Sequence, residues 1–225
     1  MRGRQAKGAI TRYSPPVKYL VGCAMALSFA TGSPVAQADS APTCTDTPNA
    51  YTAGWQTGWA AYQAEQKSPS SGQSSRTVDL PITINAPLAK VWTVYSNLRN
   101  DIGRHPFLQD IITHRTCTDG ITQTIDFTAL ENVPMGSVDY PAKTQAEQRL
   151  YPADHYYLTD SYDQPGIITH QKITFTDNGN GTTTVNEHIT FIANPLLISF
   201  TVDNGVSSHQ AYQAALKRDI ENGTL

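Results

Sequence analysis

Charged residues are scarce in this 225-residue chain. They make up 16% of the sequence, well below the ~25% of a typical soluble protein. Cysteine is rare too, with three residues, whereas 39% of the residues are hydrophobic and 9% are aromatic. The hydrophobic share is ordinary for a folded protein, so the composition excludes a disordered tail, a coiled coil and a polytopic membrane protein.

The sequence motifs of the common catalytic classes are also missing. The chain has no G-x-S-x-G, H-E-x-x-H, G-x-x-x-x-G-K-[ST] or G-x-G-x-x-G pattern, each of which signals a defined nucleophile, metal or phosphate site. It has no C-x-x-C either, which is the spacing of thiol-redox catalysts. The sequence therefore predicts no cofactor and no metal, and it leaves open whether the protein is an enzyme.

The first forty residues carry the pattern of an export signal. Residues 1–18 contain five basic residues and no acid, residues 19–30 form an apolar run, and Ala36-Gln37-Ala38 supplies small residues before a cleavage point. This order is typical of a secretory signal peptide, and the run is shorter than the ~20 residues of a membrane span. We expect cleavage after Ala38, which makes the protein secreted or places it in the cell envelope or periplasm. The alternatives are an uncleaved anchor and lipidation at Cys23.

Removal of residues 1–38 changes the charge balance. Five of the 16 basic residues leave with the signal and none of the 19 acids does, so the mature chain has 11 Lys+Arg and a net charge of −8. Nucleic acids and anionic membrane surfaces are bound through clustered positive charge. The balance therefore argues against a nucleic-acid partner, and we expect no integral membrane span after cleavage.

Two cysteines remain in the mature chain, Cys44 and Cys117. Disulfides persist in the oxidising compartments that exported proteins reach. A pair of cysteines in such a chain is compatible with one disulfide, and two free thiols are the alternative.

Residues 39–76 differ in composition from the rest of the chain. Both ends of this segment are rich in Ser, Thr and Pro, which is typical of a flexible tether. Between them, at about residues 49–67, four aromatic residues recur at helical spacing and define one face of a short helix: Tyr51, Trp55, Trp59 and Tyr62. This face either packs on the outside of the main domain or serves as a lid or a contact for a protein partner.

Residues 77–225 have the length of one domain with its own core. An alternating strand at 78–85 precedes a helix at 88–98, which Asn85 is placed to cap. Turn residues then separate six predicted strands, at 107–117, 121–130, 143–151, 155–162, 167–176 and 182–193. A long helix ends the chain, with Gly205 as a point where it divides in two or continues. The order predicts an α+β fold in which this helix covers an antiparallel sheet.

Several short segments in this order resemble one superfamily. They are the strand ending in Asn85-Ala86-Pro87, the Val91-Trp92 pair, His105-Pro106-Phe107, and residues 182–189 and 212–221. Together they are similar to the START/polyketide cyclase-like (SRPBCC) proteins, which share the Bet v 1-type helix-grip fold. The resemblance implies a curved antiparallel sheet of about seven strands wrapped on the C-terminal helix. It also implies a cavity for lipids, sterols, polyketides or other apolar molecules, and it carries no universal catalytic set.

Strand periodicity suggests part of the cavity wall. If the turn after residue 176 is centred on Gly179, Gln171 lies opposite Glu187, and Ile173 shares their mostly apolar face. We assign this face to the covered side of the sheet. A buried carboxylate must be hydrogen-bonded or neutral. Glu187 is therefore either a contact for a ligand head group, a general acid or base, or a satisfied structural group.

The same register places His170 opposite His188 on the other face of the sheet. Two facing imidazoles are compatible with a metal site or a pH sensor. No third metal ligand follows from the pattern. We therefore interpret them as an exposed pair and predict no metal.

Other strands contribute further candidate ligand-binding residues. In the strand at 155–162, the more apolar alternate positions include Tyr156 and Asp160, which we place at the cavity. His114 and Phe127 are placed there on the same basis. Tyr212 on the last helix either reaches the cavity or fills the core.

Three functions follow as hypotheses. The first is an exported protein that binds an apolar small molecule or lipid between the sheet and the C-terminal helix. The alternative is an exported cyclase or dehydratase-like enzyme, which needs a positioned acid or base in a dry pocket. The third is an envelope protein-interaction module that uses the aromatic face of residues 51–62.

Overall fold

The computed structural model describes residues 41–225. The predicted signal peptide, its cleavage point and Cys23 lie outside the described residues. Within the part that is described, no helix is long and apolar enough to cross a membrane.

Eight antiparallel strands form one curved sheet. Its strands follow the spatial order β1-β3-β4-β5-β6-β7-β8-β2, so β1 and β2 are the two edges. The strands are β1 (Thr43–Asp46), β2 (Ser74–Ile84), β3 (Leu108–Asp119), β4 (Thr122–Met135), β5 (Val138–Tyr151), β6 (Tyr156–Asp163), β7 (Ile167–Asp177) and β8 (Thr183–Ala193). The six central strands of the sequence prediction are confirmed as a meander, because each of β3 to β8 pairs with the next.

Within residues 41–225, three α-helices accompany the sheet: α1 (Thr52–Lys67), α2 (Leu88–Tyr95) and α3 (Ile198–Glu221). Helix α3 packs on β2 and β8, whereas α1 packs on β5 and β6. Because side chains alternate between the two faces of a strand, the buried residues show which helix covers which face. Leu216 of α3 shares a core cluster with Val185, while Tyr62 of α1 shares another with Ile168. The sheet is thus covered on both faces over its central strands.

The main core lies between the sheet, α2 and α3. Ile84, Val185 and Leu216 are fully buried in it. Burial of each of these aliphatic side chains contributes about 1.5–3 kcal/mol to the stability of the fold. This core packs one end of α3 firmly against the sheet, and the cavity lies beside it.

The start of α2 differs from the sequence prediction. Pro87, not Asn85, occupies the N-cap position, with an extended backbone and no side-chain cap. The Asn85 backbone N–H instead donates to the Glu221 carboxylate at 2.7 Å. Since proline fixes the backbone for the first turn, the helix begins without a side-chain cap.

Helix α3 is continuous through Gly205. A Cβ atom at this position would lie 2.5 Å from the ring of Phe191 on β8, which is closer than side chains approach each other. The glycine is therefore a point of close helix–sheet packing and does not divide the helix.

The segment predicted as a flexible tether contains regular structure. β1 pairs with β3, and β2 begins at Ser74, inside the predicted tether. Cys44 lies directly opposite Cys117, and the two form a disulfide. Composition underestimated the two ends of this segment, because β1 and the start of β2 are ordered by backbone pairing with β3 and β8 rather than by buried apolar side chains.

The aromatic face of α1 points at the sheet. Trp59 and Tyr62 are each 8% exposed, and Trp55 Nε1 donates to the Ala146 carbonyl at 3.1 Å. The Lys143 ammonium lies over the ring of Tyr51, 5.3 Å from the ring centroid. The structure therefore supports packing on the outside of the domain and leaves the buried aromatics unavailable as a contact for a partner.

Candidate ligand cavity

A cavity of about 240 Å³ lies between the sheet and α3. Its size is slightly below the ~300–1,000 Å³ of typical small-molecule pockets. Apolar side chains form much of the wall: Leu98, Phe107, Leu108, Ile111, Phe127, Val133, Ile167, Phe191 and Phe200.

The cavity has an exposed end and a buried end. Val133, Ile167 and Phe200 are partly exposed where the β4–β5 hairpin, the β6–β7 turn and the start of α3 meet. At the other end the lining residues Gln148 and Glu187 are each only 1% exposed. A ligand that enters from the exposed end therefore meets polar groups at the inner end.

An ion pair forms part of the inner end. The Nδ1 atom of His209 on α3 lies 2.9 Å from a carboxylate oxygen of Glu187 on β8. Burial alone lowers the pKa of the His209 imidazole, but the charge and hydrogen bond of Glu187 act in the opposite direction, and the net pKa is raised. The contact thus favours the imidazolium form of His209, and it gives the buried Glu187 carboxyl group a hydrogen-bond partner.

A second group of titratable residues follows α2 in the chain. Asp101 ends a single 3₁₀ turn, Leu98–Asp101, and lines the cavity together with His105. Burial raises the pKa of the Asp101 carboxyl to about 8, against a smaller lowering by a hydrogen bond from Tyr212. Burial also lowers the pKa of the His105 imidazole to about 3, and the charge of His209 adds to that effect. Both side chains are therefore neutral at pH 7.

Two more carboxyl groups line the cavity. Glu131 on β4 accepts a hydrogen bond from the Thr144 hydroxyl at 2.6 Å, and burial raises the pKa of its carboxyl. Burial also raises the pKa of Asp163, at the end of β6, to about 6. Carboxyl groups with raised pKa values in a largely apolar cavity are typical of functional sites.

Four of the eight predicted ligand-binding residues line this cavity: Phe127, Gln171, Glu187 and Tyr212. Ile173 belongs to the adjacent core cluster instead. The strand register differs by two residues from the prediction, because Gln171 pairs with Ile189 and Ile173 pairs with Glu187. A shift of two keeps every side chain on its face, so Gln171 and Glu187 still face the cavity without lying opposite each other.

Tyr156 and Asp160 lie on the other face of the sheet, which corrects their predicted place at the cavity. Tyr156 stacks on Tyr151, with ring centroids 4.5 Å apart. Asp160 contacts Arg149 and accepts from His170 at 2.6 Å, under helix α1. The alternate positions Tyr157, Thr159, Ser161 and Asp163 line the cavity instead.

His114 is also on the face covered by α1. Its Nε2 atom lies 2.8 Å from the Thr128 hydroxyl, and its ring packs beside Trp55. A register shift between Thr113 and Arg115 interrupts the pairing of β3 with β4 at this point. His114 is a buried, hydrogen-bonded residue of the α1 interface.

The two histidines predicted to face each other do not do so. His170 pairs with Thr190, and His188 pairs with Lys172. His188 instead lies 3.0 Å from Asp79 on the exposed face of the sheet. Across residues 41–225, no group of three or more potential metal ligands is assembled.

Sequence reasoning missed Asp101, His105, Gln148 and His209 as cavity residues. His209 precedes Tyr212 by three positions, and residues three apart share one helix face, so Tyr212 gave a usable signal for it. Gln148 follows Ala146 at strand spacing on β5, and both line the cavity. Asp101 and His105 lie in irregular structure, where no periodicity indicates direction.

Comparison with solved structures identifies the architecture. The chain is similar to TTHA0849 from Thermus thermophilus, with a TM-score of 0.52 and 13% identity over 67% of this chain and 100% of that one. It is similar to the Zhui aromatase/cyclase from Streptomyces sp. R1128, with a TM-score of 0.50 and 14% identity over 65% and 96%. It is also similar to the di-domain ARO/CYC StfQ from the steffimycin biosynthetic pathway, with a TM-score of 0.50 and 10% identity over 67% of this chain and 52% of StfQ.

No protein-family model and no curated protein sequence matches the chain. At 10–14% identity, the likeness to these solved structures concerns the fold and leaves function to the site itself. The sequence resemblance and the structural neighbours agree on that fold. With its open, curved antiparallel sheet and long C-terminal helix, the chain has the helix-grip fold of the START/polyketide cyclase-like proteins.

Proposed function

We propose that this protein binds an apolar small molecule in the cavity between the sheet and α3. The observation that carries the proposal is the cavity itself, which is walled by aliphatic and aromatic side chains and reached from one end. A site with this mixture of apolar wall and a few convergent polar groups is typical of small-molecule binding. Two of the similar structures are the Zhui aromatase/cyclase and the ARO/CYC protein StfQ, which supports an apolar, ring-containing ligand class.

We further propose that the protein acts after export. The basic, apolar and A-x-A pattern of residues 1–38 supports this proposal. The pairing of Cys44 with Cys117 supports it independently, because such bonds persist in oxidising compartments and are rare in the cytosol.

Filling the cavity is expected to abolish binding. Ser161 lines the cavity from β6 between Ala146 and Thr169, which also line it. Ser161→Trp places an indole in this space, whereas Ser161→Ala leaves it open. We expect the Trp variant to bind 1-methylnaphthalene at least tenfold more weakly than the wild type and the Ala variant, as measured by fluorescence titration.

Native mass spectrometry of the protein purified from its own host gives the matching observation. An apolar compound is expected on the wild type and on Ser161→Ala, and it is expected to be missing from Ser161→Trp. A wild type that carries no compound and does not bind 1-methylnaphthalene would overturn the proposal. Equal binding by the wild type and both variants would show that the ligand binds outside this cavity.

A second candidate function is acid–base catalysis in the same cavity. The specific observation is that Glu187 and His209 form an ion pair while Asp101 is neutral at pH 7. Such a set holds both a proton donor and a proton acceptor in a site largely shielded from water. The carrier and the enzyme use the same cavity, so only turnover distinguishes them.

Exchange of the α-protons of 2-tetralone in D₂O tests this second candidate. If the site is catalytic, the wild type should accelerate the exchange, and Glu187→Gln should reduce the acceleration by about 10²-fold or more, within the range for a general acid or base. Binding of 2-tetralone, followed by fluorescence, should remain within threefold. No acceleration by a wild type that binds 2-tetralone would leave the carrier as the function.

A further inference from the structure

Most of the ionisable groups in the cavity wall are acidic. Four carboxyl groups and two imidazoles line it, and no lysine or arginine of residues 41–225 does. The carboxyl groups are Asp101, Glu131, Asp163 and Glu187. A buried anion is stabilised by an opposite charge, and no lysine or arginine among the described lining residues offers one to an incoming carboxylate or phosphate.

The cation at the wall is already paired. The His209 imidazolium lies against Glu187, so this pair contributes little net charge to the rest of the cavity. His105 is neutral because burial lowers the pKa of its imidazole. The remaining carboxyl groups, Asp101, Glu131 and Asp163, are stabilised in their ionised form by a nearby cation and destabilised by an anion, so they favour a cationic ligand over an anionic one.

Unpartnered polar atoms supply a second and independent observation. The Gln148 side chain is 1% exposed, lines the cavity, and has no hydrogen-bond partner at Oε1 among the described residues. Amide oxygens only accept hydrogen bonds. Leaving such an acceptor buried and unpaired is unfavourable, so a ligand that donates a hydrogen bond to this atom would be stabilised by the contact.

Other cavity atoms also lack a hydrogen-bond partner. Asp101 Oδ1, His105 Nδ1 and Thr201 Oγ1 are buried and unpartnered among the described residues. A carboxyl oxygen, a hydroxyl and one nitrogen of a neutral imidazole can each accept a hydrogen bond. An ammonium group has three N–H donors and no acceptor, so it suits these atoms in both charge and hydrogen bonding.

We propose that the ligand of this cavity is an apolar molecule with a protonated amine, and that the cavity discriminates against the corresponding carboxylate. The inference rests on the proposed binding function and names its ligand class. The amine lies at the inner end, against Gln148 and Asp101, and the apolar body occupies the space lined by Phe127 and Phe191. No covalent step is involved.

Binding of an amine next to Asp101 is linked to proton release. The Asp101 carboxyl is neutral at pH 7 in the free protein, and an adjacent ammonium favours its ionised form. Charged and titratable groups face it from several elements: Arg104 and His105 in its own loop, Tyr95 on α2, Tyr157 on β6, Glu187 on β8, and His209 and Tyr212 on α3. Of these, His209 is paired with Glu187, which favours its protonated form, so we assign the released proton to Asp101.

A matched set of naphthalene probes tests the proposal by calorimetry at pH 7. The probes are 1-methylnaphthalene, 1-naphthylmethanol, 1-naphthylmethylamine and 1-naphthylacetate, which share one apolar body. We expect the amine to bind at least tenfold more tightly than the carboxylate. Titrations in two buffers of different ionisation enthalpy should show proton release with the amine and none with the alcohol.

Variants assign the selectivity to the cavity. Asp101→Asn should reduce the amine-to-carboxylate ratio to below threefold and remove the proton release. Asp154→Asn is the matched control, because Asp154 is exposed in the β5–β6 turn, and it should change neither quantity. If Asp101→Asn is poorly folded, the amine-to-carboxylate affinity ratio of the wild type still tests the proposed ligand class.

The failure of this inference is distinguishable from the failure of the proposed function. Binding of 1-methylnaphthalene together with equal or tighter binding of the carboxylate would overturn the amine and leave the apolar site standing. If the alcohol binds as tightly as the amine, the cavity recognises a neutral hydrogen-bond donor, and the proposed cation is wrong. If none of the four probes binds, the proposed function and this inference both fall.

Discussion

Replacement of His209 by leucine is expected to lower the free energy of unfolding by about 3–5 kcal/mol at pH 7. The Glu187 side chain is 2% exposed and its charged partner is His209, at 2.9 Å. Removing one partner of a buried ion pair leaves an uncompensated charge, which accounts for a loss of this size. Chemical denaturation of the wild type and the variant measures the difference.

His188→Leu is the matched control for this prediction. His188 and Asp79 form a similar pair at 3.0 Å, but their side chains are 52% and 58% exposed. Exposed pairs contribute only about 0–1 kcal/mol, so this variant should lie within 1 kcal/mol of the wild type. Equal effects of the two substitutions would show that Glu187 is solvated or protonated in the native protein.

The contribution of the Glu187–His209 pair to stability depends on pH in a defined way. The pKa of His209 is raised in the folded protein, so its contribution to stability is fully present below the unfolded value of about 6.5 and is lost as the pH rises through the folded pKa. The stability loss in Glu187→Gln should therefore be largest below pH 6.5 and should shrink at higher pH. The loss should also stay smaller than that of His209→Leu, because an imidazole can release its proton at little cost near neutral pH.

Removal of the disulfide is expected to have the second large effect. Cys44 and Cys117 are 73 residues apart in sequence. Cross-links that close loops of this length typically stabilise a protein by about 2–4 kcal/mol, chiefly through the unfolded chain. The Cys44→Ser/Cys117→Ser double variant should lose this amount in denaturant titrations without added reductant.

Local opening at β1 should accompany that loss. All four residues of β1 are exposed, and in the described part of the chain this strand pairs with β3 alone. Amide hydrogen exchange at residues 43–46 should therefore rise in the double variant, while α1 stays protected by its buried aromatics. A reductant should destabilise the wild type and not the variant. A double variant as stable as the wild type would mean that the two thiols are not bonded in the native protein.

Several elements were predictable because their signals are local. The turn around Gly179, where glycines at 179 and 181 both have positive φ, separates β7 from β8 as the sequence indicates. The apolar alternation of β8 correctly placed Glu187 on the covered face. The segments that resemble the superfamily indicate the sheet-and-helix architecture from the sequence.

Strand β6 shows why the cavity itself was harder to predict. Alternation reveals the buried face only when the other face is solvated, and here α1 covers the second face. Tyr62 of α1 packs over the side of the sheet that carries Asp160, so the apolar set of β6 lies outside the cavity and the more polar set lies within it. The prediction inverted these faces because the aromatic helix was assigned to a separate tether.

Because Gly205 has no side chain, helix α3 can lie close to the sheet at the edge of the cavity. Helix α3 approaches the Phe191 ring so closely there that an added methyl group would lie 2.5 Å from it. Both Gly205 and Phe191 border the cavity, so an alanine at 205 would act as a wedge that lifts the helix or rotates the ring. A larger residue at this position therefore reshapes the space instead of simply filling it, which makes residue 205 a point from which ligand size can be tuned.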